Sequence, residues 1–212
     1  MKNSGISWIG EIPSTWLSGT IKRFCTFKTG TTPSTNNPEW FDGDLKWYTP
    51  GDFNDKYILN ESNRTLSQKA QEMGVATIIP KNSTLLVGIG ATAGKIGFNQ
   101  EVCSCNQQIT ALIPSVKITP KYLMYWMISN TKFLRETAMF TTLPILNNRT
   151  IGEYTLICPS DTAEQKTIVD FLDEKCAKID ASIELKYRQL EELNHYKKSI
   201  IYEYVTGKKR VA

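Results

Sequence analysis

The chain is 212 residues long, with 41% hydrophobic and 22% charged residues. This length is enough for a buried core, and the composition is that of an ordinary globular protein, which excludes a disordered chain. The sequence has no apolar run of about 18 residues, and its start, MKNSG, lacks the apolar segment of a signal peptide. We therefore expect a soluble cytoplasmic protein of one or two domains, without a membrane partner.

The formal net charge of +4 is not spread evenly along the chain. Residues 1–160 carry 15 Lys and Arg against 11 Asp and Glu, whereas from residue 161 onward the two classes balance. The whole excess of positive charge therefore belongs to the first part of the chain. This is a mild indication of a polyanionic partner, much weaker than a basic stripe would be.

Before residue 160, short β-rich segments alternate with Gly, Pro, Asn and Thr. These segments predict the strands of a curved mixed sheet, at residues 19–27, 45–49, 76–79, 83–87, 95–98, 108–113 and 154–157. Apolar residues at helical spacing predict helices between them, at residues 67–73 and 120–138. The predicted fold class is therefore α+β, with a globular domain over residues 1–158.

A long helix is predicted after Pro159. Asp161 is a good N-cap, and Glu164 stands three residues later, in the position that completes a capping box. No Pro or Gly follows until Gly207, which suits a C-terminal stop. We therefore assign residues 159–212 to a second domain formed by this helix.

Apolar residues of the helix recur alternately three and four positions apart, the spacing of a coiled-coil seam. The seam residues that we expect to contact a second copy or a partner are Leu172, Ile179, Ile183, Leu190, Leu193, Ile200 and Tyr204. Lys186 and Lys197 lie on the same seam, where a polar group costs stability but disfavours other alignments. The pattern predicts a coiled coil with another helix; packing against the chain's own globular domain is the alternative.

Catalytic hypotheses find little support in the sequence. His195 is the only histidine, so triads and metal sites that use a histidine pair are excluded. The five cysteines are odd in number, and Cys103 and Cys105 are too close for a zinc knuckle, so we predict reduced, buried thiols. The tripeptides 44–46 and 173–175 have the local look of a nuclease motif but lack its upstream Pro-Asp partner. We predict no catalytic residue, no metal and no cofactor on this chain.

The glycine-rich stretch GIGATAGKIG, residues 88–97, superficially resembles a phosphate-binding loop. Only three residues separate Gly90 from Gly94, and isoleucine instead of Ser or Thr follows the lysine, so the Walker pattern is not met. We predict a tight turn between strands that presents Thr92 and Lys95 outward. Such a turn can approach a sugar-phosphate backbone closely.

Three polar segments have the composition of loops that contact base edges. They are TGTTPSTNNP at residues 29–38, NQQ at 106–108, and the segment 141–149. Asn and Gln side chains pair with adenine, and Ser and Thr make adaptable contacts. Each segment alone is typical of an ordinary turn, but three of them in a domain with excess positive charge favour DNA binding.

An ordered set of motifs gives the sequence a family resemblance. In chain order the motifs are WIGEIPSTW (8–16), GTTP (30–33), Trp47 with Gly51 and Asp52, GATAGK (90–95), NQQ (106–108), PKYL (120–123), and Pro159 through Glu164 and Gln165 to FLD (171–173) and ID (179–180). As a set they resemble the repeat unit of the specificity subunits of type I restriction-modification systems, across nearly the whole chain.

The resemblance implies a target-recognition domain that reads one half of a split DNA site and a helix that serves as spacer and docking surface. It also implies two partners: a methyltransferase subunit that uses S-adenosylmethionine, and a translocating nuclease subunit that uses ATP and Mg²⁺. The usual subunit carries two such units in tandem, with antiparallel helices. Since this sequence holds one unit, we expect either a half-subunit that homodimerises through antiparallel C-terminal helices or a piece of a longer protein.

The residues for which we predict contact with double-stranded DNA, either bases or phosphates, are Thr31, Thr32, Ser34, Asn36, Asn37, Thr92, Lys95, Gln107, Asn147 and Arg149. Identical domains in a dimer would read a palindrome with an unspecified gap. Trp8 and Trp16 are interpreted as core anchors. The alternative function is a helix-dimerised interaction or regulatory protein without sequence-specific reading; a standalone nuclease is a distant third.

Overall fold

The computed structural model describes residues 1–54, 57–137, 139–140 and 144–211. The chain divides into two compact units, Met1–Thr167 and Ile168–Ala212. The strands of the first unit are β1 (Lys2–Asn3), β2 (Glu11–Ile12), β3 (Leu17–Thr20), β4 (Cys25–Thr29), β5 (Phe41–Tyr48), β6 (Ile58–Leu59), β7 (Arg64–Leu66), β8 (Thr84–Val87), β9 (Ile96–Asn99), β10 (Ser104–Cys105), β11 (Ile109–Pro114), β12 (Met139–Phe140), β13 (Pro144–Ile145) and β14 (Thr155–Cys158). The helices are α1 (Gln68–Glu72), α2 (Pro120–Ser129), α3 (Thr131–Thr137), α4 (Asn148–Glu153) and α5 (Thr162–Val205).

The main sheet of the first unit has the strand order β4-β11-β8-β9-β6. Its strand pairs are antiparallel except β6 with β9, which run parallel. Every residue of β8 and β9 is buried, as are the first four residues of β11. Strands that are covered on both faces need mostly apolar sequences rather than an alternating pattern, which is why TLLV and ITAL identify β8 and β11.

A second sheet has the order β10-β5-β7, with β10 parallel and β7 antiparallel to β5. The pairing of β5 with β7 shifts register between Phe41 and Leu45, and Asp42 there has a φ of 61°. The side chains that form a compact core on this sheet are Trp40, Phe41, Leu45, Trp47, Leu66, Ala70 and Ala76. Smaller antiparallel pairs join β1 to β2, β3 to β14 and β12 to β13.

The predicted class, an α+β domain with mixed sheets followed by a long helix, is confirmed. Two strand predictions are wrong in detail. The segment 19–27 is divided by a 3-10 helix, Ile21–Arg23, and 76–79 is no strand, because only Ile79 makes an isolated bridge, to Cys103. The backbone N–H groups of Ile21 and Thr77 donate instead to tertiary partners, the carbonyl of Tyr154 and the hydroxyl of Thr31, which local propensity does not reveal.

The predicted helix 120–138 is two helices, α2 and α3, with residue 138 outside the described residues. The break falls at Asn130, whose side-chain amide donates to the carbonyl of Trp126 at 2.8 Å. Asn side chains compete in this way with the backbone hydrogen bonds of a helix. The core role predicted for Trp8 is wrong, since its side chain is 58% exposed.

The start of α5 is fixed by residues of the first unit. Asp161 is the predicted N-cap, and its Oδ1 accepts from the backbone N–H of Ala163 at 2.9 Å. Glu164 does not play the predicted capping-box role: its Oε1 accepts from the indole Nε1 of Trp16 at 3.0 Å. Glu164 therefore fastens the first turn of the helix to the N-terminal segment, because a partly buried indole N–H needs an acceptor.

Gln165 holds the same turn from the inside. Its side chain is wholly buried, and its Nε2 donates to the carbonyls of Pro159 and Lys117 at 2.9 and 3.0 Å. Its Oε1 accepts from the backbone N–H of Thr119 at 2.8 Å. A buried amide with all these partners fixes one geometry for the helix start.

The second unit is the remainder of α5 and its end. The 44 residues of α5 correspond to a length of about 66 Å at 1.5 Å per residue. The helix ends as predicted: Gly207 has a φ of 72°, the left-handed conformation that favours glycine after a helix. No helix of the described part of the chain is long and apolar enough to cross a membrane.

A candidate nucleic-acid interface

An open groove of about 500 Å³ lies at one end of the strands of the main sheet. The ends of β4 and β8 and the beginning of β11 meet there, because β11 is antiparallel to both neighbours and pairs Thr110 with Thr29 and Ile109 with Val87. The lining residues are Thr29, Gly88, Ile89, Gln107, Gln108, Thr110, Ile145, Leu146, Asn147, Asn148 and Arg149. The groove therefore joins parts of the three polar segments that the sequence analysis singled out.

Three residues that line the groove, which we call its floor, form a closed polar network: Thr29, Thr110 and Asn148. The hydroxyl groups of Thr29 and Thr110 are 3.2 Å apart, and Thr110 donates to Oδ1 of Asn148 at 2.9 Å. Nδ2 of Asn148 donates to the Thr29 hydroxyl at 3.0 Å. Each side chain holds the other two in place, so the floor is rigid and its hydrogen-bonding capacity is largely used within the protein.

The segment 106–108 forms one wall. Asn106 is buried, and its amide accepts from the backbone N–H of Gln108 and donates to the Gln108 side chain, at 3.1 and 3.0 Å. This turn directs Gln107 outward, where its Oε1 accepts a hydrogen bond from the Thr32 hydroxyl. Thr32 and Gln107, predicted separately, are thus brought together by the fold.

The loop after β4 is pinned at its root. A Cβ on Gly30 would lie 2.2 Å from the carbonyl oxygen of Cys105, so only glycine allows this approach. The next residue, Thr31, donates its backbone N–H to the same carbonyl at 2.9 Å. The Thr31 hydroxyl donates to Val75 and accepts from the backbone N–H of Thr77, so this side chain chiefly fastens the loop.

Farther along this loop, Ser34, Asn36 and Asn37 are exposed. The hydroxyl of Ser34 accepts from the backbone N–H of Asn36 at 3.4 Å, which shapes a turn. Asn37 then precedes the short 3-10 helix Pro38–Trp40. These three residues do not line the groove, but they belong to the loop that carries Thr32 to its edge.

Asn147 and Arg149 enter the groove from the start of α4. Asn147 is the N-cap of that helix, and its Oδ1 accepts from the backbone N–H of Thr150 at 2.8 Å. Arg149 is exposed, and no hydrogen bond or ion pair of its side chain is found among the described residues. Of the predicted polar segment 141–149, residues 141–143 lie outside those the structure describes.

The glycine-rich turn between β8 and β9 departs from the prediction. Gly90 and Gly94 do adopt positive φ values, 106° and 88°. The prediction that Lys95 is directed outward is wrong. Its amino group donates to the carbonyl of Phe53 at 3.0 Å, and the residue is partly buried. Thr92 is half-buried and does not line the groove.

The groove also contains four polar residues that were not among the predicted DNA contacts, namely Thr29, Gln108, Thr110 and Asn148. Thr29, Gln108 and Asn148 lie within the predicted polar segments, so a wider selection would have included them. Thr110 occupies an ordinary strand position, and only the register of β11 against β4 brings it to Thr29. No signal in the sequence identifies that register.

The seam residues of the second unit are mostly exposed. Ile179, Ile183, Leu190 and Leu193 are 57%, 47%, 55% and 63% exposed. The further exposed apolar residues that flank this seam are Tyr187, Tyr196 and Ile201. Exposed apolar surface of this extent on a helix is typical of an interaction site.

The four cysteines of the first unit are free and buried, as predicted, whereas Cys176 of the helix is free but only half-buried, contrary to the prediction. Burial raises the pKa of the Cys25 and Cys103 thiols to about 12 and that of Cys158 to about 11. Within the described ranges, no group of three or more His, Cys, Asp or Glu residues could hold a metal ion.

Residues 13–195 match the family of the type I restriction modification DNA specificity domain. Because the match covers most of the chain, the protein belongs to this family. It is similar to the specificity subunit of the type I restriction enzyme MjaIX of Methanocaldococcus jannaschii, with 30% identity over 172 residues, which are 78% of this chain and 40% of the relative. It is also similar to the HindI specificity subunit of Haemophilus influenzae, with 26% identity over 152 residues, which are 70% and 33%.

Three solved structures share the fold. A chain from a study of complex assembly and conformational transition of the type I R-M system gives a TM-score of 0.74 at 16% identity, covering 92% of this chain and 46% of that one. The HsdS subunit of Thermoanaerobacter tengcongensis gives 0.63 at 17% identity, with 81% and 40% covered. The S subunit of M. genitalium gives 0.56 at 17%, with 87% and 46% covered. The chain thus spans less than half the length of each of these relatives.

Proposed function

We propose that this chain is a non-catalytic DNA-reading unit whose groove contacts one half of a split recognition site. The observation that supports the proposal is the meeting of Gln107, Asn147 and Arg149 in one groove, in a chain of the DNA specificity family. Amide and guanidinium groups are the side chains that most often recognise purine edges in the major groove.

Within the groove, different residues would have different roles. Thr29, Thr110 and Asn148 bond to one another and would shape the floor rather than recognise bases. Gln107 is exposed and oriented by Thr32, and Arg149 is exposed and unbonded within the described residues, so these two have donors left for DNA. The excess positive charge of the first 160 residues would add phosphate contacts.

The helical unit would provide the second half of the function. An antiparallel pair of α5 helices would cover the exposed seam and create a homodimer with two reading domains, suited to a palindromic site with a gap. Tyr187, Tyr196 and Ile201 make the apolar surface wider than a two-helix seam requires. This supports docking of further helices, from methyltransferase and translocating nuclease subunits, which would supply S-adenosylmethionine, ATP and Mg²⁺.

Selection of bound sequences from a random DNA pool tests this proposal. The purified chain would be used alone and with a methyltransferase subunit from the same cell, at one near-physiological salt concentration. We expect enrichment of two short inverted half-sites around a fixed gap. Absence of enrichment in both conditions would refute sequence-specific reading and favour an interaction protein that dimerises through its helix.

A charge-matched pair of variants tests the groove itself. Arg149→Ala removes an exposed guanidinium from the groove, whereas Arg23→Ala removes one from the 3-10 helix outside it. We expect Arg149→Ala to weaken binding of the selected site by about tenfold or more, and Arg23→Ala by much less. Equal losses would show that the groove contributes general attraction only.

A further inference from the structure

A second arginine of the first unit, Arg64, is stacked on two aromatic rings. The Cζ atom of Arg64 lies 4.2 Å from the centroid of the Phe41 ring and 5.4 Å from that of the Trp47 ring. The two rings meet edge to face, with centroids 6.3 Å apart and planes at 71°. Arg64 is paired directly opposite Trp47 in the β5–β7 ladder, so strand register places the guanidinium over this aromatic corner.

The donors of this guanidinium are not used by any residue that the structure describes. Arg64 is exposed, and the described part of the chain offers its side chain no hydrogen bond and no ion pair. Several other cations of the same unit are engaged: Lys46 with Glu101 at 2.7 Å, Lys69 with Glu39, and Arg135 with the carbonyl of Ala93 at 2.9 Å. Arg64 thus combines a stacked position with N–H groups that no described residue accepts.

The loop after β4 contacts both the Trp47 ring beneath Arg64 and the groove residue Gln107. The indole N–H of Trp47, the ring beneath Arg64, donates to the carbonyl of Thr31 at 3.1 Å. The neighbouring Thr32 bonds to Gln107, which lines the groove. One loop therefore contacts both the ring beneath Arg64, through Thr31, and the groove residue Gln107, through Thr32.

We propose that Arg64 is a DNA-contacting residue, and that its stacked guanidinium binds a pair of acceptor atoms on DNA through two parallel hydrogen bonds. The acceptor pair is either N7 and O6 of a guanine or two oxygens of one phosphate, since both match the guanidinium fork. This inference rests on the proposed DNA-reading function and adds a contact outside the groove that the motif analysis did not select.

Stacking explains why this arginine is suited to the task. A free arginine side chain loses rotamer entropy when it binds, whereas Arg64 is already ordered by two cation–π contacts. Aromatic faces hold the guanidinium plane and leave its edge open for hydrogen bonds. Lysine can supply the charge at this position but not the planar fork.

Two substitutions separate the fork from the charge and from the packing. Arg64→Lys keeps the charge, and Arg64→Met keeps an apolar cover over Phe41 and Trp47. Dissociation constants would be measured on the DNA site selected by the wild-type chain, at several salt concentrations, together with thermal unfolding midpoints. The matched controls are Arg23→Lys and Arg23→Met, at an exposed arginine without aromatic stacking.

We expect both Arg64 variants to bind the selected site at least about tenfold more weakly, with unfolding midpoints close to the wild type. The controls should stay within about twofold. A residue that only covers the aromatic rings would lower the midpoint in Arg64→Lys but leave affinity unchanged, and that result would overturn the proposal.

Modified DNA identifies the acceptor pair. With the wild-type chain, 7-deazaguanine replaces each guanine of the site, and a methylphosphonate replaces each phosphate, one at a time. At one position the modification should weaken wild-type binding at least about fivefold but affect Arg64→Lys little further. If no position shows this coupling, the inference fails while the wild-type chain still selects its site; if the wild type selects no site, the proposed function itself fails.

Discussion

In the first compact unit, Leu85 and Leu86 have no exposed surface, whereas in the second Leu190 and Leu193 leave 55% and 63% of theirs exposed. Both pairs stand in segments whose apolar pattern indicates burial. The first pair is buried among residues of its own unit, whereas the residues that the structure describes leave the second pair largely uncovered. Periodicity thus identifies which face is apolar, but it does not say which molecule covers that face.

The largest expected effect lies in the helical unit. Leu190→Lys combined with Leu193→Lys places two charges on the seam, and burying them costs several kcal/mol, so we expect the dimerisation constant to weaken by about 100-fold or more. Sedimentation equilibrium measures this change. His195→Lys with Ser199→Lys adds the same two charges away from the seam and should leave the dimer intact. A double leucine variant that remains dimeric would show that the seam is misplaced.

A single type of substitution made in both units sharpens the contrast. Leu85→Ala removes a fully buried side chain and should lower the free energy of unfolding of the first unit by roughly 2–5 kcal/mol. Leu190→Ala, at concentrations where the chain is monomeric, should change it by less than about 0.5 kcal/mol. Urea unfolding followed by tryptophan fluorescence reports on this unit, since all five Trp residues precede residue 160. Equal effects would mean that Leu190 is covered within the monomer.

A substitution of Gly30, at the start of the loop after β4, should have an intermediate effect. A Cβ on Gly30 would overlap the carbonyl oxygens of Cys105 and Asn106, at 2.2 and 2.4 Å, so Gly30→Ala should shift the loop and cost roughly 1–3 kcal/mol. It should also weaken binding of the selected DNA. Gly51→Ala is the control, because the nearest atom, Oγ1 of Thr49, is 3.7 Å from the added carbon. Indistinguishable midpoints and affinities for the two variants would contradict the pinned root.

The thiols distinguish the units with the smallest expected effect per residue. At pH 8 a thiol reagent should label Cys176 of the helix and leave the four buried cysteines of the native first unit unreacted. Because burial raises the pKa of Cys25 and Cys103 from 9.0 to about 12, the unfolded chain loses these protons first as pH rises. The contribution of these thiols to the free energy of unfolding is therefore complete below pH 9 and is lost between pH 9 and 12. At pH 10 the loss is on the order of 1 kcal/mol per buried thiol. A urea midpoint that stays constant from pH 8 to pH 10 would contradict this.

The sequence predicted the elements whose signals are local. The cap at Asp161, the absence of Pro and Gly, and the stop at Gly207 together predicted α5, since each acts within one or two turns of its own position. The family motifs were also recognised from local sequence, but their contacts were not. Glu164 and Gln165 were recognised as a motif, but their actual partners, Trp16 and the carbonyls of Lys117 and Pro159, follow from packing.

Tertiary structure alone decided how the candidate interface is assembled. Thr29, Thr110 and Asn148 are far apart in the sequence and meet because β11 pairs with β4 in one register and α4 begins beside it. The same kind of long-range contact turned Lys95 inward to Phe53 and placed Arg64 over Phe41 and Trp47. A polar or charged residue carries no local mark of its partner, because the partner is fixed by strand register and by the approach of distant loops.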